Sequence, residues 1–184
     1  DYFSPNENHR FNVFASAQHI NRDSYYGPGD RDPLDAYGNT TDLNWMAGSQ
    51  YVYSFGKCIF MPSDLTAGIE FNQDKLEDNM WGYNRHTEQT VNIYSGFLQN
   101  EWKNEKWGIL LGGRLDKHNM VDHVIFSPRA NLRFNPTKDV NFRLSYASGF
   151  RAPQAFDEDM HIENVGGTVS MIERAKGLKE EKSQ

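Results

Sequence analysis

The sequence predicts an all-β chain, a partial transmembrane β-barrel of about seven antiparallel strands in up-and-down order. Three observations support this fold class. Apolar and polar residues alternate with a period of two along most of the chain, which is the signature of half-buried strands. The connections between the predicted strands are alternately long and short, so the long loops all lie at one end. The apolar faces of the last strands carry no charge, whereas their opposite faces carry arginines.

Composition agrees with an extended structure that is apolar on one side. The 184 residues include 38% hydrophobic residues, fewer than most compact domains have, but 14% aromatic residues and 15 glycines. The formal net charge of −6 argues against nucleic acid as a partner, since phosphate binding requires a basic surface. The single cysteine, Cys58, excludes an intramolecular disulfide and any multi-cysteine metal site. No apolar run is long enough for a membrane-spanning helix, and the first residues lack the features of a signal peptide.

The first three predicted strands follow the period-two pattern, apart from two large apolar residues in the first of them. They are FNVFASAQHI (residues 11–20), LNWMAGSQYVYSF (43–55) and LTAGIEF (65–71). In the second strand Leu43, Trp45 and Tyr51 share one face, with Asn44 and Gln50 on the other. We expect each strand to contain about 9–11 residues, enough to cross a bilayer when tilted.

Four further strands are predicted in the second half of the chain. They are TVNIYSGFLQNEW (90–102), WGILLGGRLD (107–116), SPRANLRFN (127–135) and VNFRLSYAS (140–148). The first of these is ambiguous, because both of its faces carry large apolar residues. In the other three, arginines lie opposite the apolar face, and an arginine facing lipid at mid-bilayer would cost about 2–4 kcal/mol. We therefore predict that four arginines face the lumen of the barrel: Arg114, Arg129, Arg133 and Arg143.

The predicted connections differ systematically in length. The long ones are DSYYGPGDRDPLDAYGNTTD (23–42), QDKLEDNMWGYNRHTEQ (73–89), KHNMVDHVIF (117–126) and a final stretch from Gly149 to about Leu178. The short ones are GKCIFMPSD (56–64), KNEK (103–106) and NPTKD (135–139). Outer-membrane barrels have this asymmetry, with short periplasmic turns and long external loops. A soluble sandwich has no reason to sort its loops by length.

Three motifs in the last third of the chain carry a family resemblance. Ser-Pro-Arg (127–129), Asn-Pro-Thr (135–137) and Gly-Phe-Arg-Ala-Pro occur in this order, and Leu-Lys-Glu-Glu-Lys-Ser (178–183) follows. This region resembles the barrel of TonB-dependent outer-membrane receptors, except that Glu180 replaces the usual proline. The resemblance implies that the Gly-Phe-Arg-Ala-Pro corner is structural, marking where a strand leaves the membrane: Gly149, Phe150, Arg151, Ala152 and Pro153. Pro153 would end ladder pairing because it has no N–H to donate.

The resemblance also implies a function and a set of partners. Such receptors have a plug domain inside a barrel of twenty-two strands and take up a large, scarce nutrient (a ferric siderophore, cobalamin or haem) across the bacterial outer membrane. We expect residues 1–184 to be an internal barrel fragment without the plug and without the N-terminal segment that engages the TonB complex, and not transport-competent alone. Its partners would be the plug, the remaining barrel strands, outer-membrane lipid and the nutrient. We expect no enzymatic activity and no cofactor, because no convincing nucleophile–base pair or carboxylate dyad occurs.

Aromatic residues in the long loops are the best candidates for contact with a ligand. Flat apolar rings with hydrogen-bonding tips suit recognition of a bulky external molecule. The candidate ligand-binding residues are Tyr25, Tyr26, Trp81, Tyr83, Arg85 and His86. The alternative is that these rings pack the loops against one another.

Two acidic stretches are weaker candidates. Asp30, Asp32 and Asp35 could bind calcium in the first loop, although their spacing does not match an EF-hand. The second acidic group follows the Arg-Ala-Pro corner and consists of Asp157, Asp159, His161 and Glu163. Solvated surface carboxylates explain both stretches more simply, and the loop histidines show no haem-binding motif. We therefore predict no metal site.

Two other classes of protein remain open from sequence. One is a small, complete eight-stranded barrel, and the other is a soluble β-sheet binding protein whose apolar faces form a core between two sheets.

Overall fold

A computed structural model describes residues 1–26, 36–154, 175 and 177–184, and ten strands occur in these ranges. The strands are β1 (Tyr2–Phe3), β2 (His9–Tyr25), β3 (Tyr37–Cys58), β4 (Met61–Met80), β5 (Arg85–Lys103), β6 (Trp107–His118), β7 (Ile125–Thr137), β8 (Val140–Ala147), β9 (Gly149–Arg151) and β10 (Glu181–Ser183). A single 3₁₀ turn, Trp81–Tyr83, lies between β4 and β5. Within the described ranges, no helix is long and apolar enough to span a membrane.

Strands β1 to β8 form one sheet in which each strand pairs with its neighbours in the sequence, always antiparallel. The predicted all-β, up-and-down fold is therefore confirmed, and β2–β8 are the seven expected strands. Strands β1 and β8 form the two edges of this open sheet. Because the described strands do not make a second large sheet, they have no sandwich core, and they do not close into an eight-stranded barrel.

Four strands are much longer than the expected 9–11 residues. β2, β3, β4 and β5 contain 17, 22, 20 and 19 residues. The stretch 73–89, predicted as a long loop, consists mainly of the paired ends of β4 and β5, which are joined through residues 81–84. That prediction was wrong because most residues there are polar, and the few large apolar ones, such as Leu76 and Met80, lie on the face opposite the apolar face. The ladder continues although the apolar–polar contrast that reveals a strand is weak and reversed.

The connections lie at two ends of the sheet. Residues 4–8, 59–60, 104–106 and 138–139 connect strands at what we call the short-turn end. Residues 26–36, 81–84 and 119–124 connect strands at the opposite end, the long-loop end. The segment that follows β9 leaves from the long-loop end as well. The four connections predicted to be long therefore lie at one end, but the second of them is short.

The register brings apolar residues of all the long strands onto one side of the sheet, the apolar face. Ala130 of β7 lies opposite Leu111 of β6 and Tyr146 of β8, and Leu132 lies opposite Leu144. Many of these side chains are open to the surroundings; Leu144, for example, is 70% exposed. The other side, the polar face, carries most of the charged groups. Consequently the sheet presents its apolar side chains outward.

The buried apolar cluster found among the described residues is small. Val121, Ile125 and Ala152 form it, and Phe150 packs against them. This cluster lies at the long-loop end, where the connection between β6 and β7 meets the segment after β9. It holds these two connections together and does not serve as a core for the sheet.

Candidate functional site

Two rows of aromatic rings bound the apolar face. Near the long-loop end, Phe71 contacts Trp45 and Tyr94, with ring centroids 4.9 and 4.7 Å apart. Near the short-turn end, Trp107 stacks on Phe134 at 4.2 Å, and further rings on neighbouring strands continue this row: Tyr53, Phe55 and Trp102. Aromatic girdles at both membrane interfaces are typical of transmembrane barrels.

The separation of the two rows matches the thickness of a membrane. The segment of β3 from Trp45 to Phe55 rises about 34 Å at ~3.4 Å per residue. A strand tilt near 45° reduces this to a height of roughly 24 Å, close to the ~25 Å apolar band of outer-membrane barrels. Beyond Trp45, β3 continues to Tyr37, so the sheet extends roughly 20 Å past the upper row by the same rise and tilt.

The chemistry of the apolar face changes just beyond the upper aromatic row. Trp45 Nε1 donates a hydrogen bond to Gln73 Oε1 at 3.0 Å, and Gln73 Nε2 donates to Asn92 Oδ1 at 2.8 Å. The following residues of β4 on this side are Lys75, Glu77 and Asn79. A polar row above an aromatic row is the arrangement expected where lipid headgroups meet water.

A charged cluster lies on the polar face at the level of the apolar band. Arg114 Nη2 contacts Glu70 Oε1 at 2.8 Å, and Arg114 Nε contacts Asp116 Oδ1 at 2.8 Å. Ser95 Oγ donates to Asp116 Oδ1 at 2.6 Å and accepts from Arg114 at 2.7 Å. Three adjacent strands therefore hold Arg114 in place by charge-assisted bonds. The group combines one positive and two negative charges.

The other three arginines predicted to face the lumen lie on the same polar face. Arg133 of β7 is directly opposite Arg143 of β8, and Arg129 opposes Ala147. Arg133 donates to the Asn104 carbonyl at 3.3 Å, and Arg143 donates to Asn141 Oδ1 at 2.9 Å. Within the described part of the chain, none of these three guanidinium groups forms an ion pair with a carboxylate. The wall formed by β7 and β8 is therefore positively charged, unlike that of β4–β6.

A buried polar network supports the part of the sheet that extends past the upper aromatic row. Arg85 Nη2 lies 3.1 Å from Asp78 Oδ2, with side-chain exposures of 2% and 0%. Thr40 Oγ1 donates to Asp78 Oδ1 at 2.6 Å, which links β3 to β4. Asp78 was not predicted as a structural residue because it lies in the stretch assigned to a loop. The alternation of Leu76, Asp78 and Met80 with more polar residues was the available signal.

The predicted ligand-binding residues all lie at the long-loop end. Tyr25 is the last residue of β2 and contacts the ring of Tyr37 at 5.1 Å. Trp81 and Tyr83 lie in the 3₁₀ turn; Trp81 is 59% exposed, and the Tyr83 hydroxyl donates to the Tyr26 carbonyl at 3.2 Å. The structure thus brings the first two long-loop connections together through Tyr26 and Tyr83.

The two basic candidates differ in exposure. His86 is exposed and its Nδ1 lies 2.5 Å from Asn79 Oδ1. Arg85 is buried and ion-paired with Asp78, so its guanidinium is not presented to solvent. Trp81 and His86 therefore offer accessible surface, whereas Arg85 lies beneath it.

The Gly-Phe-Arg-Ala-Pro segment forms the corner after β8. Gly149, Phe150 and Arg151 pair with β10, and Arg151, which is exposed, is the last paired residue of β9. Ala152 is buried in the small apolar cluster, and Pro153 follows it without strand pairing. Lys182 and Ser183 of β10 complete the ladder on the other side.

Polar contacts tie the connection between β6 and β7 to both ends of the segment after β9. The buried His118 Nε2 lies 3.2 Å from Gln154 Oε1, just beyond the corner. At the other end, Glu180 Oε1 lies 3.0 Å from His123 Nε2 and 3.2 Å from Lys182 Nζ. A hydrogen bond from its own backbone N–H, together with these two neighbours, lowers the pKa of Glu180 from 4.5 to about 2. In the sequence, Glu180 is notable only as a departure from the motif.

Among the described residues, no group of three or more His, Cys, Asp or Glu side chains is arranged to hold a metal ion. The two acidic stretches noted in the sequence, residues 30–35 and 157–163, lie outside the described residues. Three histidines at the long-loop end contact different side chains: His86 contacts Asn79, His118 contacts Gln154 and His123 contacts Glu180.

Comparisons with known proteins identify the family of this sheet. Searches of curated proteins and of solved structures found no match to the chain. The family model described as "TonB dependent receptor-like, beta-barrel" matches residues 1–184, the whole length of the sequence. The members of this family are outer-membrane transporters and not enzymes. The long strands, the loop asymmetry and the two-faced sheet fit this match, and the chain belongs to the TonB-dependent receptor β-barrel family.

Proposed function

We propose that this chain forms part of the barrel wall of a bacterial outer-membrane receptor that takes up a large, scarce nutrient. The nutrient classes that fit are a ferric siderophore, cobalamin and haem. The single observation that carries the proposal is the apolar face. It is exposed and uncharged between two aromatic rows whose separation, roughly 24 Å by strand rise and tilt, equals that of a membrane band.

The polar face would then line the lumen. A lumen-facing assignment accounts for Arg114, Arg129, Arg133 and Arg143 without placing any of these charges in lipid. Because the wall of β7 and β8 carries arginines with no carboxylate among the described residues, we propose that acidic groups of the plug domain lie against it. Further barrel strands would cover the open edges, and the TonB complex would supply energy from the periplasm.

The ligand would be captured at the long-loop end, which would face the exterior of the cell. Trp81 supplies the most accessible large ring there, and the exposed His86 lies on the adjacent strand. Tyr25, Tyr26 and Tyr83 would shape the surface around them, because their rings or backbone atoms contact one another or neighbouring strands. Arg85 would act beneath this surface by fixing the ends of β4 and β5 through Asp78.

Binding measurements on the full-length receptor test this proposal. Purified receptor in detergent is titrated with a panel of ferric siderophores, cobalamin and haem, and binding is followed by calorimetry. We expect one class to bind. Trp81→Ala should weaken that binding about 10- to 30-fold, as loss of an aromatic hot spot does. Trp107→Ala, an aromatic substitution in the short-turn row, is the matched control and should leave the affinity unchanged.

Uptake assays separate binding from transport. Cells that carry the receptor should accumulate the bound nutrient only when TonB is present. A receptor that binds none of the three classes, or that is recovered from the cytoplasm or periplasm instead of the outer membrane, would refute the proposed function.

A further inference from the structure

The turn between β3 and β4 has an unusual backbone. Ile59 has φ = 63°, in the left-handed region, and the Phe60 N–H donates to the Cys58 carbonyl at 2.9 Å. This i→i+2 hydrogen bond closes a γ-turn with Ile59 at its centre. A β-branched residue with positive φ is a genuine outlier, since its side chain crowds the backbone. Glycine or asparagine would relieve this strain.

The same turn exposes two large apolar side chains. Ile59 is 80% exposed and Phe60 is 52% exposed. The other three connections at the short-turn end, residues 4–8, 104–106 and 138–139, are Ser-Pro-Asn-Glu-Asn, Asn-Glu-Lys and Lys-Asp. Polar residues are the rule for turns in water, so the β3–β4 turn departs from its neighbours in side-chain chemistry. Its positive φ falls on a β-branched residue, whereas the one in residues 4–8 falls on Glu7. Strain of this kind persists where the residue has a role that outweighs it.

The turn is continuous with the apolar face of the sheet. Phe60 stacks on Trp102, with ring centroids 5.6 Å apart and an interplanar angle of 17°. Trp102 Nε1 donates to the Cys58 carbonyl at 3.0 Å, which fixes the indole against the turn. Trp102 belongs to the aromatic row at the short-turn end. Ile59 and Phe60 therefore extend this row past the last paired residues of β3 and β4.

We propose that Ile59 and Phe60 form a membrane anchor that inserts into the interface of the periplasmic leaflet. Apolar side chains at the tip of an otherwise polar surface enter the boundary between headgroups and acyl chains, and an adjacent cation pairs with phosphate. The exposed Lys57 supplies such a cation next to the turn. The occupant of this surface is a phospholipid bilayer, because the turn extends the same face that the aromatic rows bound. The inference rests on the proposed membrane location of the chain.

Depth-dependent fluorescence quenching tests the anchor. Cys58→Ser removes the only cysteine of residues 1–184, and any cysteine elsewhere in the full-length receptor is replaced by serine as well. Single cysteines are then introduced by Ile59→Cys, Glu105→Cys or Leu111→Cys. Each is labelled with an environment-sensitive fluorophore. The receptors are reconstituted into vesicles of phosphatidylethanolamine and phosphatidylglycerol, with or without brominated acyl chains. Leu111 lies in the middle of the apolar band, and Glu105 lies at the tip of the neighbouring polar turn.

The expected result is strong quenching at position 111, little at position 105, and intermediate quenching at position 59, because interfacial groups lie about 5–10 Å into the headgroup–acyl boundary. Adding Phe60→Ser to the Ile59→Cys variant should reduce the quenching at position 59 below this intermediate value, because it removes one of the two apolar side chains of the anchor.

The other outcomes overturn the anchor in distinguishable ways. Quenching at 111 but not at 59 would show a receptor in the membrane with a turn that stays in water or binds another protein. Equal quenching at 59 and 105 would mean that the whole short-turn end lies in the interface, without a special role for Ile59 and Phe60. An absence of quenching at 111 would overturn the membrane location itself, and the anchor with it.

Discussion

Leu110 and Leu111 on β6 provide a matched pair that tests the assignment of the two faces. They are adjacent and lie at nearly the same depth, but their side chains point to opposite sides of the sheet. Leu111 is 52% exposed on the apolar face and pairs with Asn100 and Ala130. Leu110 lies on the polar face and pairs with Glu101 of β5. Each leucine is replaced by arginine in a separate variant, Leu110→Arg and Leu111→Arg.

The two substitutions should differ greatly in cost. Leu111→Arg places a guanidinium near the middle of the apolar band, where arginine on the lipid face costs about 2–4 kcal/mol. This corresponds to roughly a 30- to 700-fold loss in the folding equilibrium constant, at 1.4 kcal/mol per factor of ten. Leu110→Arg places the same group directly across from the Glu101 carboxylate, where an opposite-charge pair contributes about 0.2–1 kcal/mol. We expect its net effect to be within about 1 kcal/mol of zero.

Guanidinium-induced unfolding of the full-length receptor in phospholipid vesicles, followed by tryptophan fluorescence, measures both values. The Leu111→Arg variant should unfold at a clearly lower denaturant concentration than the wild type, and the Leu110→Arg variant near the wild-type midpoint. Equal destabilisation by both variants would contradict the two-faced sheet. A larger effect of Leu110→Arg would mean that the polar face is the one in lipid.

Three further predictions concern other parts of the sheet. Gly68→Val should destabilise the receptor by about 1–3 kcal/mol in the same unfolding assay, since a Cβ there would lie 2.5 Å from a cross-strand phenylalanine ring. Asp78→Ala should cost about 3–5 kcal/mol because it removes this carboxylate from the buried Arg85 guanidinium, whereas Asp78→Asn should cost less; limited proteolysis of the long-loop end checks both. Because the folded pKa of Glu180 is below its ordinary value of 4.5, its stabilising contacts should be complete above pH 4.5 and be lost as the pH falls towards 2. A fluorophore at Leu178 should gain mobility over that range, and Glu180→Gln should abolish this pH dependence.

The fold and the two faces were predictable because they depend on local patterns. The period of two places Arg129 and Arg133 on one face of β7 and Ala130 and Leu132 on the other, whichever strands are its neighbours. The observed register keeps these two faces separate across the sheet. The Gly-Phe-Arg-Ala-Pro motif is recognisable in the sequence because its residues are contiguous, and its role where a strand leaves the membrane stays a prediction.

The contacts of the polar face were not predictable, because they depend on register between strands. Arg114 meets Glu70, Ser95 and Asp116 only because residue 95 lies opposite residues 70 and 116 in the ladder. A shift of one residue would place these groups on different faces. The pairing of Glu180 with His123 also joins segments far apart in the sequence, and no local pattern encodes it.

The long strands would allow the proposed ligand capture and membrane residence to occupy separate parts of one sheet. Below the row of Trp45, Phe71 and Tyr94, the apolar face needs lipid contact, so a charge there is costly. Above it, the same strands continue for roughly 20 Å with mostly polar residues, held by ladder hydrogen bonds and by the buried pair of Asp78 and Arg85. Substitutions in the upper part can therefore alter the recognition surface while the ladder in the membrane is unchanged. This separation predicts that Trp81→Ala changes affinity without changing the unfolding midpoint and that Leu111→Arg does the reverse.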